Sequence, residues 1–182
     1  MRYEKLLHLI NIFEPSLIVE IGTWNGDNAV RMIKAAQEHH EDVVYIGHDL
    51  FEDATPETDK KEFNVKPHFS EADVLDKLLD TGAEISLIRG DTNDTLNEII
   101  ADFVFIDGGH SVETIAHDYE KVKKSSIIVF DDYYTPDNEG RMPDISVVGC
   151  NRIVEELPHA VIESEDRVVD GGYVNLAVVF GG

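Results

Sequence analysis

The sequence predicts an α/β protein built on a Rossmann-like, doubly wound seven-stranded sheet, mostly parallel with an antiparallel C-terminal hairpin. Five short apolar runs rich in β-branched residues each lead into a polar or glycine-containing segment, and helical patterns separate them. The last third of the chain changes character, to two further strand-like runs joined through glycines.

Tyr3, Leu6, Leu7, Ile10 and Phe13 recur at helical spacing and Pro15 stops the pattern, which predicts an amphipathic helix over residues 1–14. Leu17 to Ile21, Val43 to His48, Ile85 to Ile88, Phe103 to Ile106 and Ser126 to Phe130 read as buried parallel strands. Helices are expected at about Asp27 to His39, Glu71 to Leu79, Thr92 to Ile100 and Val112 to Lys123. A helix near Gly149 to Leu157 then precedes strands Ala160 to Val168 and Tyr173 to Phe180, joined through the turn Asp170-Gly171-Gly172. A plain dinucleotide-binding fold does not predict that closing hairpin. The segment 51–70 is long, polar and interrupted by Pro56 and Pro67, so it reads as a surface loop at the carboxyl edge of the sheet, either a lid or an ordinary excursion. With no repeat or linker, residues 1–182 read as a single domain.

Composition narrows the partners. The 182 residues are 42% hydrophobic, enough for one sizeable core. Against 15 Lys and Arg stand 37 Asp and Glu, a formal net charge of −22, so the average surface repels phosphate backbones and anionic lipid headgroups. No nucleic-acid or membrane partner is expected. Cys150 is alone, which rules out an internal disulfide and a cysteine metal cluster and suits a reducing compartment. Residues 6–13 are interrupted by polar side chains and lack a small-residue cleavage site, so neither a secretion signal nor a membrane span is expected and the protein is placed in the cytoplasm. A homo-oligomer is compatible with the sequence, but no motif reports the oligomeric state.

Glu20-Ile21-Gly22-Thr23-Trp24-Asn25-Gly26 follows the first strand and enters a helix, where open α/β folds leave a crevice for a ligand. A dinucleotide fingerprint starting at Gly22 needs glycines where this chain has Trp24 and Asp27; an indole blocks close backbone approach and a carboxylate opposes a pyrophosphate. S-adenosylmethionine carries no phosphate and is positive at its sulfonium and ammonium. For that cofactor Glu20 at the strand end is an asset, the helix N-terminus suits its carboxylate, and Thr23 offers a hydroxyl. Asp49 ends the second strand, where a carboxylate can hold ribose hydroxyls. Gly90-Asp91-Thr92 ends the third, where Asp91 and Thr92 are candidates for the adenine end and Asp91 is equally a helix cap.

Phe103 to Ile106 runs into Asp107-Gly108-Gly109-His110, and Ile127 to Phe130 runs into Asp131-Asp132. If these strands are neighbours, about 4.8 Å apart, Asp107, Asp131 and Asp132 crowd one another and call for a positive partner. Three hard oxygen ligands without cysteine suggest Mg²⁺, with Mn²⁺ or Ca²⁺ as alternatives; the other reading, strand-end aspartates that merely cap the next element, suits one aspartate better than three.

These motifs resemble class I S-adenosylmethionine-dependent methyltransferases, in particular the small-molecule O-methyltransferases of methyltransferase family 24 and of the catechol and macrolide-sugar type. The most distinctive pieces are Phe105-Ile106-Asp107-Gly108-Gly109-His110-Ser111-Val112-Glu113 and Val129-Phe130-Asp131-Asp132. The resemblance implies a divalent metal on Asp107, Asp131 and Asp132, with cofactor contacts at Glu20, Gly22, Gly26 and Asp49. The closing hairpin favours the same family. Catechol-type relatives place a lysine base three residues after the metal aspartate, whereas this chain has His110, whose unperturbed pKa of about 6.5 suits a base at working pH.

The expected reaction is therefore metal-assisted methylation of a hydroxyl on a small-molecule acceptor, with Asp107 and His110 as the catalytic pair. A nicotinamide-dependent oxidoreductase and a non-catalytic binding protein on the same scaffold are the alternatives. His48, His68, His117 and His159 read as surface or helix-face residues, and Tyr133, Tyr134 and Arg141 as lining for the acceptor side.

Overall fold

The computed structural model describes residues 1–169 and 171–181. In chain order it contains α1 (Arg2–Phe13), β1 (Leu17–Ile21), α2 (Asp27–Ala36), β2 (Val44–Asp49), a 3₁₀ turn (Phe51–Asp53), α3 (Pro56–Lys61), α4 (Glu71–Leu79) and β3 (Glu84–Arg89). It continues with α5 (Thr92–Thr95), β4 (Phe103–Ile106), α6 (Val112–Val122), β5 (Ile127–Thr135), α7 (Asn151–Val154), β6 (His159–Ile162) and β7 (Tyr173–Phe180). The seven strands form one sheet in the order β3-β2-β1-β4-β5-β7-β6. The first five pair in parallel, while β7 runs antiparallel to both β5 and β6.

Alternation of side chains along the strands sorts the core onto two faces. Ile18, Phe103, Phe105, Ile127 and Val129 pack with α1, α2 and α4 on one face. Val19, Ile21, Val104, Ile106, Ile128 and Phe130 pack with α6 and α7 on the other. Each inner strand is covered on both sides, which is why the inner strands read as unbroken apolar runs. No helix among the described residues is long and apolar enough to cross a membrane.

Five expectations are corrected. The segment 51–70 is not plain loop: Thr55 caps α3 in a capping box with Thr58, and Pro56 occupies the first turn, where its missing N–H costs nothing. The helix expected over Thr92 to Ile100 stops at Thr95, because Leu96 turns extended and buries its side chain against the second face. Strand β5 does not end at Phe130; it runs on to Thr135 through a register shift between Phe130 and Tyr133 that contains both aspartates. The strand expected over Ala160 to Val168 is regular only to Ile162. Beyond it, the Ser164 hydroxyl donates to the Val174 carbonyl at 2.7 Å and its amide donates to Asn175 at 2.7 Å, replacing the ladder by side-chain bonds. The helix expected near Gly149 to Leu157 is the single turn α7. In the hairpin turn, Asp170 lies outside the described residues, and Gly171 and Gly172 both take positive φ.

Candidate active site

The carboxyl ends of β1, β2 and β4 meet where the strand order reverses. At the end of β1 the chain takes φ 96° at Gly22, and a Cβ there would lie 2.2 Å from the Asp107 carbonyl oxygen, so only glycine lets the two strand ends approach. Asp49 at the end of β2 then ties two loops together: its carboxylate accepts from the amide of Trp24 and from that of Phe51, each at 2.8 Å. Its remaining lone pairs face a cleft.

That cleft has a cavity volume of about 130 Å³ and opens to solvent. Asp49, Gly90, Asp91 and Thr92 border one end, and Asp107, Gly108 and His110 the other. A second chamber, walled by Arg2, Tyr3, Glu20, Thr23 and Asn25, shares Gly22, Trp24, Lys66 and Asp107 with the first, so the two spaces adjoin. Glu20 is buried and accepts a short hydrogen bond from the Tyr45 hydroxyl. Burial pushes its carboxyl pKa up to about 8, only partly offset by that bond.

The segment 51–70 forms the outer wall. Trp24 Nε1 donates to the Pro67 carbonyl at 2.8 Å, the indole meets Phe69 edge to face at 5.6 Å, and the Lys66 ammonium sits 5.2 Å from the indole ring. On the opposite side the Glu62 carboxylate accepts from the Ser111 amide at 3.1 Å and from the Thr114 hydroxyl at 2.7 Å. Gly109 gives it room, since a Cβ there would lie 2.5 Å from Glu62 Oε2.

Two polar atoms, His48 Nδ1 and Asp118 Oδ2, are buried without a hydrogen-bond partner, and both residues border this cleft. Asp118 Oδ1 takes a 3.2 Å contact from His117, and burial raises the Asp118 pKa to about 6. Burial lowers the His48 pKa to about 4, so the imidazole is neutral. Asp118 was not singled out from sequence, and His48, expected at the surface or on a helix face, is instead buried in β2. The signal for Asp118 was present: it stands on the buried stripe Ile115, Asp118, Val122 of α6, where an apolar side chain is the norm.

Of the three acidic strand ends expected to converge, Asp107 and Asp131 do and Asp132 does not. Asp107 and Asp131 continue the parity of Phe105 and Val129 and fall on the α1 face; Asp132, one residue on and at φ 57°, points to the α6 face. Asp131 is engaged by Arg2, whose Nε and Nη2 donate to its two oxygens at 2.6 and 2.9 Å. The Tyr3 hydroxyl lies 3.1 Å from Asp107 Oδ2 and 3.2 Å from Asp131 Oδ2. Asp132 Oδ2 instead lies 3.4 Å from His110 Nε2. Among the described residues no group of three His, Cys, Asp or Glu side chains is placed to hold a metal ion. The expected ligand set of Asp107, Asp131 and Asp132 does not fit a divalent ion here: one member is already paired with a guanidinium and another faces away.

His110 donates from Nδ1 to the Glu62 carbonyl or accepts nothing there, since a carbonyl can only accept; at 2.9 Å this fixes the proton on Nδ1 and leaves Nε2 toward Asp132. His68, expected at the surface, lies in the cleft wall beside Asp59 at 2.7 Å. Tyr133, Tyr134 and Arg141 do not border either space. The two tyrosines are buried, with Asn151 bridging the Tyr134 amide and carbonyl, and Arg141 pairs with Asp137 at 2.9 Å.

The profile of the family described as "Methyltransferase domain" matches residues 19–133. The chain belongs to this methyltransferase family. No curated protein sequence matches the methyltransferase. Among solved structures it is similar to the O-methyltransferase TomG from Streptomyces achromogenes in complex with SAM, at 17% identity and TM-score 0.61, covering 99% of this chain and 79% of that one. It is also similar to the O-methyltransferase NovP, at 19% identity and TM-score 0.65, covering 97% and 79%. A third is the Bacillus cereus O-methyltransferase in complex with SAH, at 15% identity and TM-score 0.56, covering 98% and 80%. At these identities the likeness shows a shared fold.

In the methyltransferase, the residues expected at the cofactor fall into three groups. Asp49, Asp91 and Thr92 border the cleft, Glu20 and Thr23 the chamber, and Gly22 and Trp24 both. Gly26 borders neither; at φ 76° it is the N-cap of α2 and serves the backbone. Asp91 also caps α5, accepting from the Asn93 amide at 2.9 Å.

Proposed function

We propose that this methyltransferase transfers a methyl group from S-adenosylmethionine to a hydroxyl of a small molecule. The observation that carries the reading is that two spaces adjoin: a cleft bordered by Asp49, His48 and Asp118 shares Gly22 and Trp24 with a chamber bordered by the buried acid Glu20. Their donor sets suit the two ends of one nucleoside amino acid. Asp118 Oδ2 is an acceptor in need of a partner and suits an amino-substituted base, and His48 Nδ1 beside the same cleft can donate or accept according to its tautomer. Asp49 suits ribose hydroxyls, and Glu20 an ammonium. TomG and NovP are O-methyltransferases, and TomG was solved with SAM, which supports both the donor and the oxygen acceptor.

When bound, the cofactor supplies an electrophilic methyl on a sulfonium. His110 is the residue for the acceptor's proton. Its Nδ1–H is held by the Glu62 carbonyl, which leaves Nε2, 3.4 Å from Asp132 Oδ2, as the nitrogen that can take a proton and carry the resulting charge beside a carboxylate. The oxygen–methyl bond forms as the sulfur–methyl bond breaks, and the hydroxyl proton passes to Nε2. Holding the two reactants together supplies most of the acceleration. No step is routed through a metal ion, because the strand-end carboxylates are spent on Arg2 and Tyr3.

The test is release of S-adenosylhomocysteine from S-adenosylmethionine with a panel of polyols, sugars and catechols, alongside calorimetric titration with S-adenosylhomocysteine and NAD. Binding of the first nucleoside only, with turnover on a hydroxylated acceptor, is the expected outcome. Heat with NAD and none with S-adenosylhomocysteine would overturn the reading.

A further inference from the structure

The first residues of α1 reach across the sheet into the site. Arg2 lies under the end of β5 with its side chain largely enclosed, and its fork meets Asp131 through two parallel hydrogen bonds of 2.6 and 2.9 Å. The same guanidinium stacks 4.5 Å from the Tyr3 ring and lies 3.4 Å from Asp166, whose carboxylate also accepts from the Arg2 amide at 3.0 Å. Tyr3 then fills the gap between Asp107 and Asp131, with its hydroxyl about equidistant from both. Charge and lone pairs that a hard cation would use are therefore satisfied by two side chains of one helical turn.

We propose that Arg2 takes the place of a divalent cation at the acidic ends of β4 and β5, with Tyr3 bridging Asp107 and Asp131, and that it closes this site to metal. The inference builds on reading the chamber as the methyl-transfer end, but its substance is a statement about ion binding. A guanidinium is a permanent charge whose planar fork matches one carboxylate in two places, so no exchange with solvent Mg²⁺ is required to neutralise the cluster. Its charge does not depend on the metal supply of the surroundings.

The experiment is an electron paramagnetic resonance titration of the full chain with Mn²⁺ near neutral pH. The wild-type protein is expected to show no saturable site up to about 1 mM metal. Arg2→Met, which keeps the stem against the Tyr3 ring, is expected to gain one Mn²⁺ that Asp131→Asn added to the same variant removes. Arg2→Lys, which keeps the charge, is expected to stay empty. Saturable Mn²⁺ binding by the wild type or by Arg2→Lys that Asp131→Asn abolishes overturns the proposal. So does a folded Arg2→Met protein, judged by circular dichroism, that still binds none. If Arg2→Met does not fold, the wild type and Arg2→Lys still decide it. None of these readouts needs turnover, so failure to methylate any acceptor would count against the proposed function and leave this result standing.

Discussion

The Nδ1 atom of His110 lies 2.9 Å from the backbone carbonyl of Glu62, so the loop between β4 and α6 and the wall of the cleft hold each other in place. The same Glu62 fixes the start of α6 through Ser111 and Thr114. Orientation of the proposed base thus depends on a segment 48 residues away in sequence.

Glu62→Ala is expected to release the start of α6 from the cleft wall. Removing a carboxylate that accepts two hydrogen bonds should lower the free energy of local opening by about 1–3 kcal/mol. Hydrogen exchange would show faster labelling of residues 55–66 with little change in the strands. The backbone carbonyl that holds His110 Nδ1 survives this substitution, so kcat should fall only as far as the loosened wall moves that carbonyl, and the cofactor affinity should change less. Unchanged exchange in that window would show that the clamp does not hold the wall.

His110 is tested directly by His110→Gln, which keeps a hydrogen-bonding side chain but offers no base of suitable pKa. The proposed role predicts a loss of about 10²–10⁴-fold in kcat with cofactor affinity preserved. A variant as fast as the wild type would remove His110 from the chemistry.

How much of this was legible in advance depends on distance along the chain. Residues 17–21 and 103–106 were readable as strands because both faces of β1 and β4 are buried, leaving unbroken apolar runs. Helix α4 was bounded on both sides as read, with Ser70 capping its start. Even the parting of Asp131 from Asp132 follows from the two-residue period of a strand, had that period been carried past Phe130. The Arg2 contact was not legible. It joins residues 129 apart, and only the packing of α1 across the sheet face brings them together. Helix α3 was missed for a different reason: two prolines suggested loop, although Pro56 follows the N-cap Thr55, a position where proline starts a helix.

Glu20 carries a consequence for pH. Its folded-state pKa of about 8 lies above the ordinary carboxyl value of 4.5, so between those limits the folded protein binds a proton that the unfolded chain does not. Stability of the free protein from this group is therefore greatest below the unfolded value and is lost as pH rises through the folded one. An ammonium placed beside Glu20 reverses the preference. Calorimetric titration of S-adenosylhomocysteine at pH near 6.5, repeated in buffers of differing ionisation enthalpy, should show about one proton released on binding. The Glu20→Gln variant should show weaker binding and no such release. Binding that takes up protons, or releases none in the wild type, would separate Glu20 from the ammonium.

Asp118 offers the sharpest test of which end of the cleft takes the base. Its Oδ2 is buried without a partner on α6. A carboxylate there can only accept unless protonated, and its pKa of about 6 keeps it mostly ionised above neutrality. An exocyclic amine would supply the missing donor, whereas a base with a carbonyl in that place would meet repulsion. Asp118→Asn preserves shape but, in the orientation that keeps its oxygen on His117, turns an N–H₂ toward the ligand. Affinity for S-adenosylhomocysteine should then fall by about tenfold or more, the cost of leaving one buried hydrogen bond unmade. The analogue with hypoxanthine in place of adenine should lose less in the variant than in the wild type, since its carbonyl can accept where adenine donates. Equal losses for the two nucleosides would place the base elsewhere in the cleft and leave Asp118 as a structural residue of α6.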